Sequence, residues 1–274
     1  MCQTYPVSAS DRVSFLYLEH ARIDLEDGSV WVCDDEGELV LPSGRLLLLL
    51  LGPGVSITHA AVEKLASDGC LLHWVGEHGV RLYATSHPRA DAQALLEQAG
   101  VRLDPVQRLG AARRVWTLMF GEDPPLRASV AQLRGLEGSR VKPWLAELAS
   151  QAGAAWCGRR GGASDPTNRA IDIANSTLYG ISEAAILALG YSPAIGFVHD
   201  GDPRSFVFDL ADTVKFRTVV PLAMRIAAQN PTDLERRVRI GCRNLFIETG
   251  TIKQLVQNTR VIIRGGIDVR SDNA

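Results

Sequence analysis

The feature that most constrains this chain is a change of period around His87-Pro88-Arg89. Ahead of it, Val13 to Leu18, Ala21 to Leu25, Ser29 to Cys33, Glu38 to Leu41 and Arg45 to Leu51 are short apolar or alternating runs, set apart by Asp27-Gly28, Glu36-Gly37 and Pro42-Ser43-Gly44. Runs of that length between turn-forming residues predict strands joined as hairpins. Thr58 to Ser67 then has helical spacing and is closed by Gly69, and Cys70 to Trp74 and Val80 to Ala84 return to strand around Gly76-Glu77-His78-Gly79. Beyond the proline the composition turns to Ala, Leu and Arg, with helices expected at about 90–99, 105–120, 127–151, 167–189, 205–229, 232–247 and 251–260. The fold class is therefore α+β. A small mostly-β domain occupies 1–86 and a larger all-helical domain 87–274. Thr167 to Leu189 is apolar or small on nearly every side, which marks the central, buried helix of the second domain.

The net charge of -2 hides a division. Residues 1–100 carry 14 acidic and 6 basic side chains, and residues 101–274 carry 17 and 23, so a polyanion should prefer the second part. The longest purely apolar run, Leu46 to Leu51, is far short of the roughly 20 residues that cross a bilayer, and no secretory signal opens the chain. A cytoplasmic protein with no membrane contact is expected. Five scattered cysteines, Cys2, Cys33, Cys70, Cys157 and Cys242, contain no CxxC pair, which fits a reducing compartment and mostly packing roles.

Ala194 to Thr218, AIGFVHDGDPRSFVFDLADTVKFRT, concentrates groups that bind metal. After Ser192-Pro193 an apolar run ends in the turn-forming segment His199-Asp200-Gly201-Asp202-Pro203, and Ser205 is placed to cap a helix. Asp209 and Asp212 on that helix are three apart and share a face. Imidazole with carboxylate oxygens suits Mg2+ or Mn2+, and no cysteine lies near enough to argue for structural zinc. Taken alone, a solvated helix face with Asp212 paired to Lys215 accounts for the same residues.

In Leu133-Arg134-Gly135-Leu136-Glu137-Gly138-Ser139-Arg140, a glutamate in a helical pattern is flanked by two glycines. Each interior glycine costs about 1 kcal/mol against alanine, a penalty easier to understand if a phosphodiester strand must approach the backbone. Arg134 and Arg140 could then neutralise phosphates, although both also lie within reach of a surface ion pair with Glu137.

The order of the segments LRGLEGSRV, NSTLYGISEAAILALGYSPAIGFVH and SFVFDLADTVKF, preceded by GPGVSITHAAV and WVGEHGVRLYA, closely resembles the CRISPR-associated integrase family, the larger subunit of the spacer-acquisition complex. Within it, the match is to the I-E subtype, from about Arg12 to about Asn258.

The resemblance implies a β-rich domain that mediates homodimerisation and a helical catalytic domain. By motif match it places metal ligands at Glu137, His199 and Asp212, a supporting carboxylate at Asp209 and a basic group at Lys215 that offsets charge on the phosphate. Magnesium or manganese is the expected cofactor. The expected partners are double-stranded DNA with 3′ ends, CRISPR repeat DNA, a second copy of the chain and the small CRISPR-associated protein two. The chemistry is transesterification, in which a 3′-hydroxyl attacks a phosphodiester at a repeat edge, and no nucleotide-binding GxxxxGK[ST] motif is needed or present. DNA contacts are expected from Arg134, Arg140, Arg159, Arg160 and Arg217, with Arg81 added from the β domain. Ser56, Glu63 and His20 depart from the family pattern near the duplex end, and the loop before Asp165 is shorter than the subtype leads one to expect. A non-catalytic DNA scaffold and a hydrolase of small phosphate esters are the competing readings.

Overall fold

The computed structural model describes residues 14–35, 37–76, 82–86, 92–159 and 165–265. They form two compact units, Met1–Ala92 with Leu187–Gly190, and Gln93–Ile186 with Tyr191–Ala274. The order is β1 (Ser14–Leu18), β2 (Arg22–Glu26), β3 (Ser29–Asp34), β4 (Gly37–Leu41), β5 (Leu46–Leu51), β6 (Ser56–Ile57), α1 (His59–Ser67), β7 (Leu71–Val75) and β8 (Leu82–Thr85), followed by α2 (Ala92–Leu103), α3 (Pro105–Phe120), α4 (Val130–Ala152), α5 (Pro166–Ala188), α6 (Ser205–Lys215), α7 (Val219–Ala228), α8 (Leu234–Thr249) and α9 (Thr251–Arg264). The α+β class follows directly.

Two four-stranded sheets make up the first unit, in the orders β1-β5-β7-β8 and β4-β3-β2-β6. The hairpin expectation holds for β2–β3 and β3–β4, which pair antiparallel. β7 and β8 also pair antiparallel, but β1 pairs parallel with β5, and β5 parallel with β7. The reason lies in β5, six leucines that are all buried, because a strand covered on both faces needs no polar alternation. β6 has two residues, too few to display a period, yet it adds a parallel edge to β2. Between the sheets, Ile23, Val30, Val32, Leu49, Leu51 and Leu72 pack with Ala61 and Leu65 of α1. Thr58 caps α1 by accepting the N–H of Ala61 at 3.4 Å.

In the helical unit, α4 starts at Val130 and not at 127, because Ser129 and Gln132 close a reciprocal capping box. The single helix expected over 205–229 is two. Pro221 has no N–H to offer the carbonyl of Arg217, and it sits in the first turn of α7, where that lack is harmless. α5 is the buried central helix, with Ala170, Ile171, Ala174, Leu178, Ala184, Ala185 and Ile186 nearly or fully enclosed. Ser205 is the first residue of α6 and does not cap it; its hydroxyl instead closes a turn by donating to the carbonyl of Asp202 at 2.7 Å. Of the cysteines, Cys70 and Cys242 are packing residues as expected, whereas Cys33, near the end of β3, and Cys157, in the segment before α5, are exposed. Cys2 and the His87-Pro88-Arg89 segment lie outside the described residues. Among the described residues no helix is long and apolar enough to cross a membrane.

Candidate active site

The loop from Tyr191 to Arg204 is held in place before any ligand arrives. Gln98 of α2, fully buried, accepts the N–H of Ser192 at 2.7 Å and donates to the carbonyls of Ser192 and Ile195 at 3.0 and 2.9 Å. Gly196 lies so close to the start of α6 that a Cβ there would meet the carbonyl oxygen of His199 at 2.6 Å and Ser205 at 2.8 Å. Phe197 packs edge-on against Phe206, both fully buried.

Asp209 of α6 finishes the loop. Its Oδ2 accepts the N–H groups of Phe197 and Val198 at 2.6 and 3.1 Å, and its Oδ1 accepts the N–H of His199 at 2.9 Å and stands 2.8 Å from His199 Nδ1. Asp209 is fully buried, so these contacts replace the water that a carboxylate would otherwise need. With Nδ1 committed to Asp209, Nε2 is the nitrogen that His199 has left for another partner. Burial alone would lower the His199 pKa, but the bond to Asp209 and the charges of Asp212, Asp209 and Glu137 outweigh it, and the pKa is raised.

Asp212, one turn on and 5% exposed, does a different job. Its Oδ1 forms an ion pair with Lys215 and makes no well-directed hydrogen bond. Burial works against the Lys215 ammonium, but Asp212, Tyr179 and Glu137 hold its pKa above the ordinary lysine value. Lys215 also lies 4.8 Å from the ring centre of Phe216.

Glu137 approaches from α4. Its carboxyl is half-buried, and burial together with the charge of Asp212 pushes its pKa up to about 7, against the smaller opposing influence of His199 and Lys215. A row of rings links α3, α4 and the residue that follows α6, with Trp116–Phe120 at 4.5 Å, Phe120–Trp144 at 6.1 Å and Trp144–Phe216 at 5.1 Å. Glu137, His199, Asp209, Asp212 and Lys215 thus form one electrostatically linked group within the second unit.

Among the described residues, no three His, Cys, Asp or Glu side chains already surround one point an ion could take. The donor chemistry nevertheless fits a divalent cation. A buried carboxylate oxygen has an ammonium beside it, an oriented imidazole keeps Nε2 available, and a second carboxyl is driven toward neutrality by burial and by the charge of Asp212, which a cation would relieve.

The basic residues divide. Arg134 is exposed, without an ion-pair partner among the described residues. Arg140 pairs with Glu122 and lies over the rings of Phe120 and Trp116, 4.5 and 5.5 Å from their centres. Arg159 pairs with Asp172 and donates to Asn168 at 3.0 Å, and Arg217 donates to the carbonyl of Leu118 at 3.0 Å. Arg81 and Arg160 lie outside the described residues. Sequence reasoning missed Gln98 and the clamp role of Asp209. It also missed Tyr179 and Phe208, whose rings meet at 5.1 Å while Phe208 meets the His199 ring at 5.7 Å. The glycine of AIGFVH was the one local hint of a tight loop.

The family model described as CRISPR associated protein Cas1 matches residues 123–258, which contain all five of these site residues. The chain is 46% identical over 272 residues to the CRISPR-associated endonuclease Cas1 of Geobacter sulfurreducens, covering 96% of this chain and 89% of that one. It is 46% identical over 268 residues to the Escherichia coli K12 protein of the same description, covering 95% and 88%. A crystal structure of a TtCas1–DNA complex matches with a TM-score of 0.81 at 39% identity, over 94% of this chain and 98% of that one.

Proposed function

The chain belongs to the Cas1 family, and we propose that it is a metal-dependent DNA integrase and endonuclease of the I-E subtype that inserts DNA fragments into a CRISPR array. The observation that carries this reading is the linked group of Glu137, His199 and Asp212, brought together from α4, a clamped loop and α6 in a chain whose relatives are described as endonucleases. Those three residues would hold Mg2+ or Mn2+. When bound, the ion supplies a positive charge for the phosphoryl oxygens and lowers the pKa of an attacking hydroxyl or water.

The protein's own groups do the positioning. Asp209 fixes the imidazole of His199, and Trp144 of α4, the helix that carries Glu137, packs on Phe216 beside the end of α6. Lys215 stands where a cation is wanted and pairs with Asp212; released from that pair, its ammonium offsets charge on the phosphate in transit. In the reaction the 3′-oxygen of the incoming fragment forms a bond to phosphorus as the repeat-edge P–O bond breaks. The proton of the attacking hydroxyl is lost and the departing oxygen gains one. One ester replaces another, so no nucleotide is consumed.

A homodimer, association with the small CRISPR-associated protein two and a cytoplasmic location complete the proposal. The second reading, a DNA scaffold without chemistry, draws on the lack of a preassembled three-ligand cluster among the described residues. Strand transfer into a supercoiled plasmid bearing a repeat, with manganese and with a chelator, separates them. The integrase reading requires manganese-dependent product from the wild type and none from His199→Ala; DNA binding without product in either would leave the scaffold.

A further inference from the structure

We infer that Arg204 is an additional nucleic-acid contact of this site, a guanidinium set on the face of Phe208 to bind a strand phosphate next to the one that meets His199. The inference rests on the function proposed above and adds a residue that none of the motifs singled out.

Its geometry is specific. Arg204 precedes the first turn of α6, and its guanidinium carbon lies 5.2 Å from the ring centre of Phe208. The same ring stands 5.7 Å from the His199 imidazole and 5.1 Å from Tyr179, so the cation sits one ring away from the proposed metal-binding nitrogen. Stacking on an aromatic face fixes a guanidinium without using its N–H groups, which leaves the donor fork open for a phosphate. Arg204 is 52% exposed, and its one ion pair among the described residues is a loose contact of 3.9 Å with Asp202.

The surrounding charges do not oppose such a ligand as strongly as the sequence suggests. Asp200, the first acid of the turn after His199, is held by Arg102 at 2.7 Å and Arg108 at 3.5 Å. Asp202 accepts the backbone N–H of Arg204 at 2.8 Å. On α5, the field of Arg204 reaches both Tyr179 and the half-buried Glu183, whose carboxyl is raised by burial and lowered by this arginine. The guanidinium is therefore charged, anchored and accessible beside the reacting groups, unlike Arg140 and Arg159, which already have acidic partners.

The test is fluorescence-anisotropy titration of the full-length protein with a labelled duplex carrying 3′ ends, repeated over a series of salt concentrations. Arg204→Ala should weaken binding about five- to tenfold and make the salt dependence shallower by about one phosphate, a change near 0.7–0.9 in slope. Arg204→Lys, which keeps the charge but loses the planar stacking, should recover part of the affinity and most of the slope. Phe208→Leu should weaken binding in the wild type and weaken it less in Arg204→Ala, because part of the effect of the ring passes through the arginine. Unchanged affinity and slope in Arg204→Ala, with salt-dependent binding by the wild type, would overturn the inference and leave the integrase reading intact. A wild type that neither binds nor joins DNA would remove both.

Discussion

The loop from Tyr191 to Arg204 and the stretch of α4 from Leu133 to Arg140 face the same chemistry but are built in opposite ways. The loop is tied down by Gln98, Gly196 and Asp209, and its histidine has one nitrogen already committed. The α4 stretch has one buried side chain, Leu133, and presents Glu137 between two glycines with open space around them. One half of the site is organised in advance, and the other still carries unrelieved charge. The difference teaches where the folding energy goes and where a ligand must act: the loop contributes geometry, and α4 contributes a carboxyl that a cation would make favourable.

The largest effect expected is on turnover. If both halves grip one ion, Glu137→Gln and His199→Ala should each lower manganese-dependent strand transfer by about a thousandfold or more, and the double variant should lose little further, because groups that act as a unit are not additive. Independent, multiplying losses would break the picture of one shared ion.

Stability should move the other way between the halves. Asp209→Ala strands three buried N–H groups and an imidazole, and should cost about 3 kcal/mol in urea denaturation. Glu137→Gln should cost nothing in chelator at neutral pH and should leave the chain more stable than the wild type, because the amide escapes the burial and the Asp212 charge that oppose the carboxylate. Equal costs would mean that the loop is no better organised than α4.

The pH dependence sharpens the same contrast. With its folded pKa raised to about 7, Glu137 holds a proton that the unfolded chain releases near the ordinary carboxyl value of 4.5, so its contribution to stability is present at low pH and lost as pH rises through about 7. The raised His199 contributes with the same sign, since protonation is favoured in the fold. In chelator, the wild type should lose stability relative to Glu137→Gln between pH 5 and 8, by at most about 1.4 kcal/mol per pH unit. Magnesium or manganese should reduce that loss and release protons on binding. A flat difference between the two proteins would show that the carboxyl is not under this stress.

Much of this was legible in the chain. Helical spacing identified α3 and α5 and the start of α6, and the pairing of His199 with two aspartates three apart identified a charged site. What spacing could not tell was that the two aspartates would divide their labour. Three residues apart on a helix are near neighbours on its surface, but Asp209 reaches the loop backbone while Asp212 meets Lys215, and that choice is made by contacts ten residues away and by burial. Gln98 donates to carbonyls more than ninety residues distant, beyond any local period. The parallel pairing of β1, β5 and β7 is nonlocal in the same sense. The break between α6 and α7 has a local cause in Pro221, which the continuous helical spacing of 205–229 passed over.

The smallest effect is the most informative about α4. A Cβ added at Gly135 or Gly138 meets nothing within 4 Å, so nothing in the described structure requires glycine there. Each change to alanine should therefore stabilise the helix by about 1 kcal/mol in urea denaturation. If a DNA strand uses that open space to approach the backbone, the same substitutions should weaken duplex binding in the anisotropy titration, so that stability and affinity shift in opposite directions. More stable variants with unchanged affinity would assign the glycines to neither half of the site.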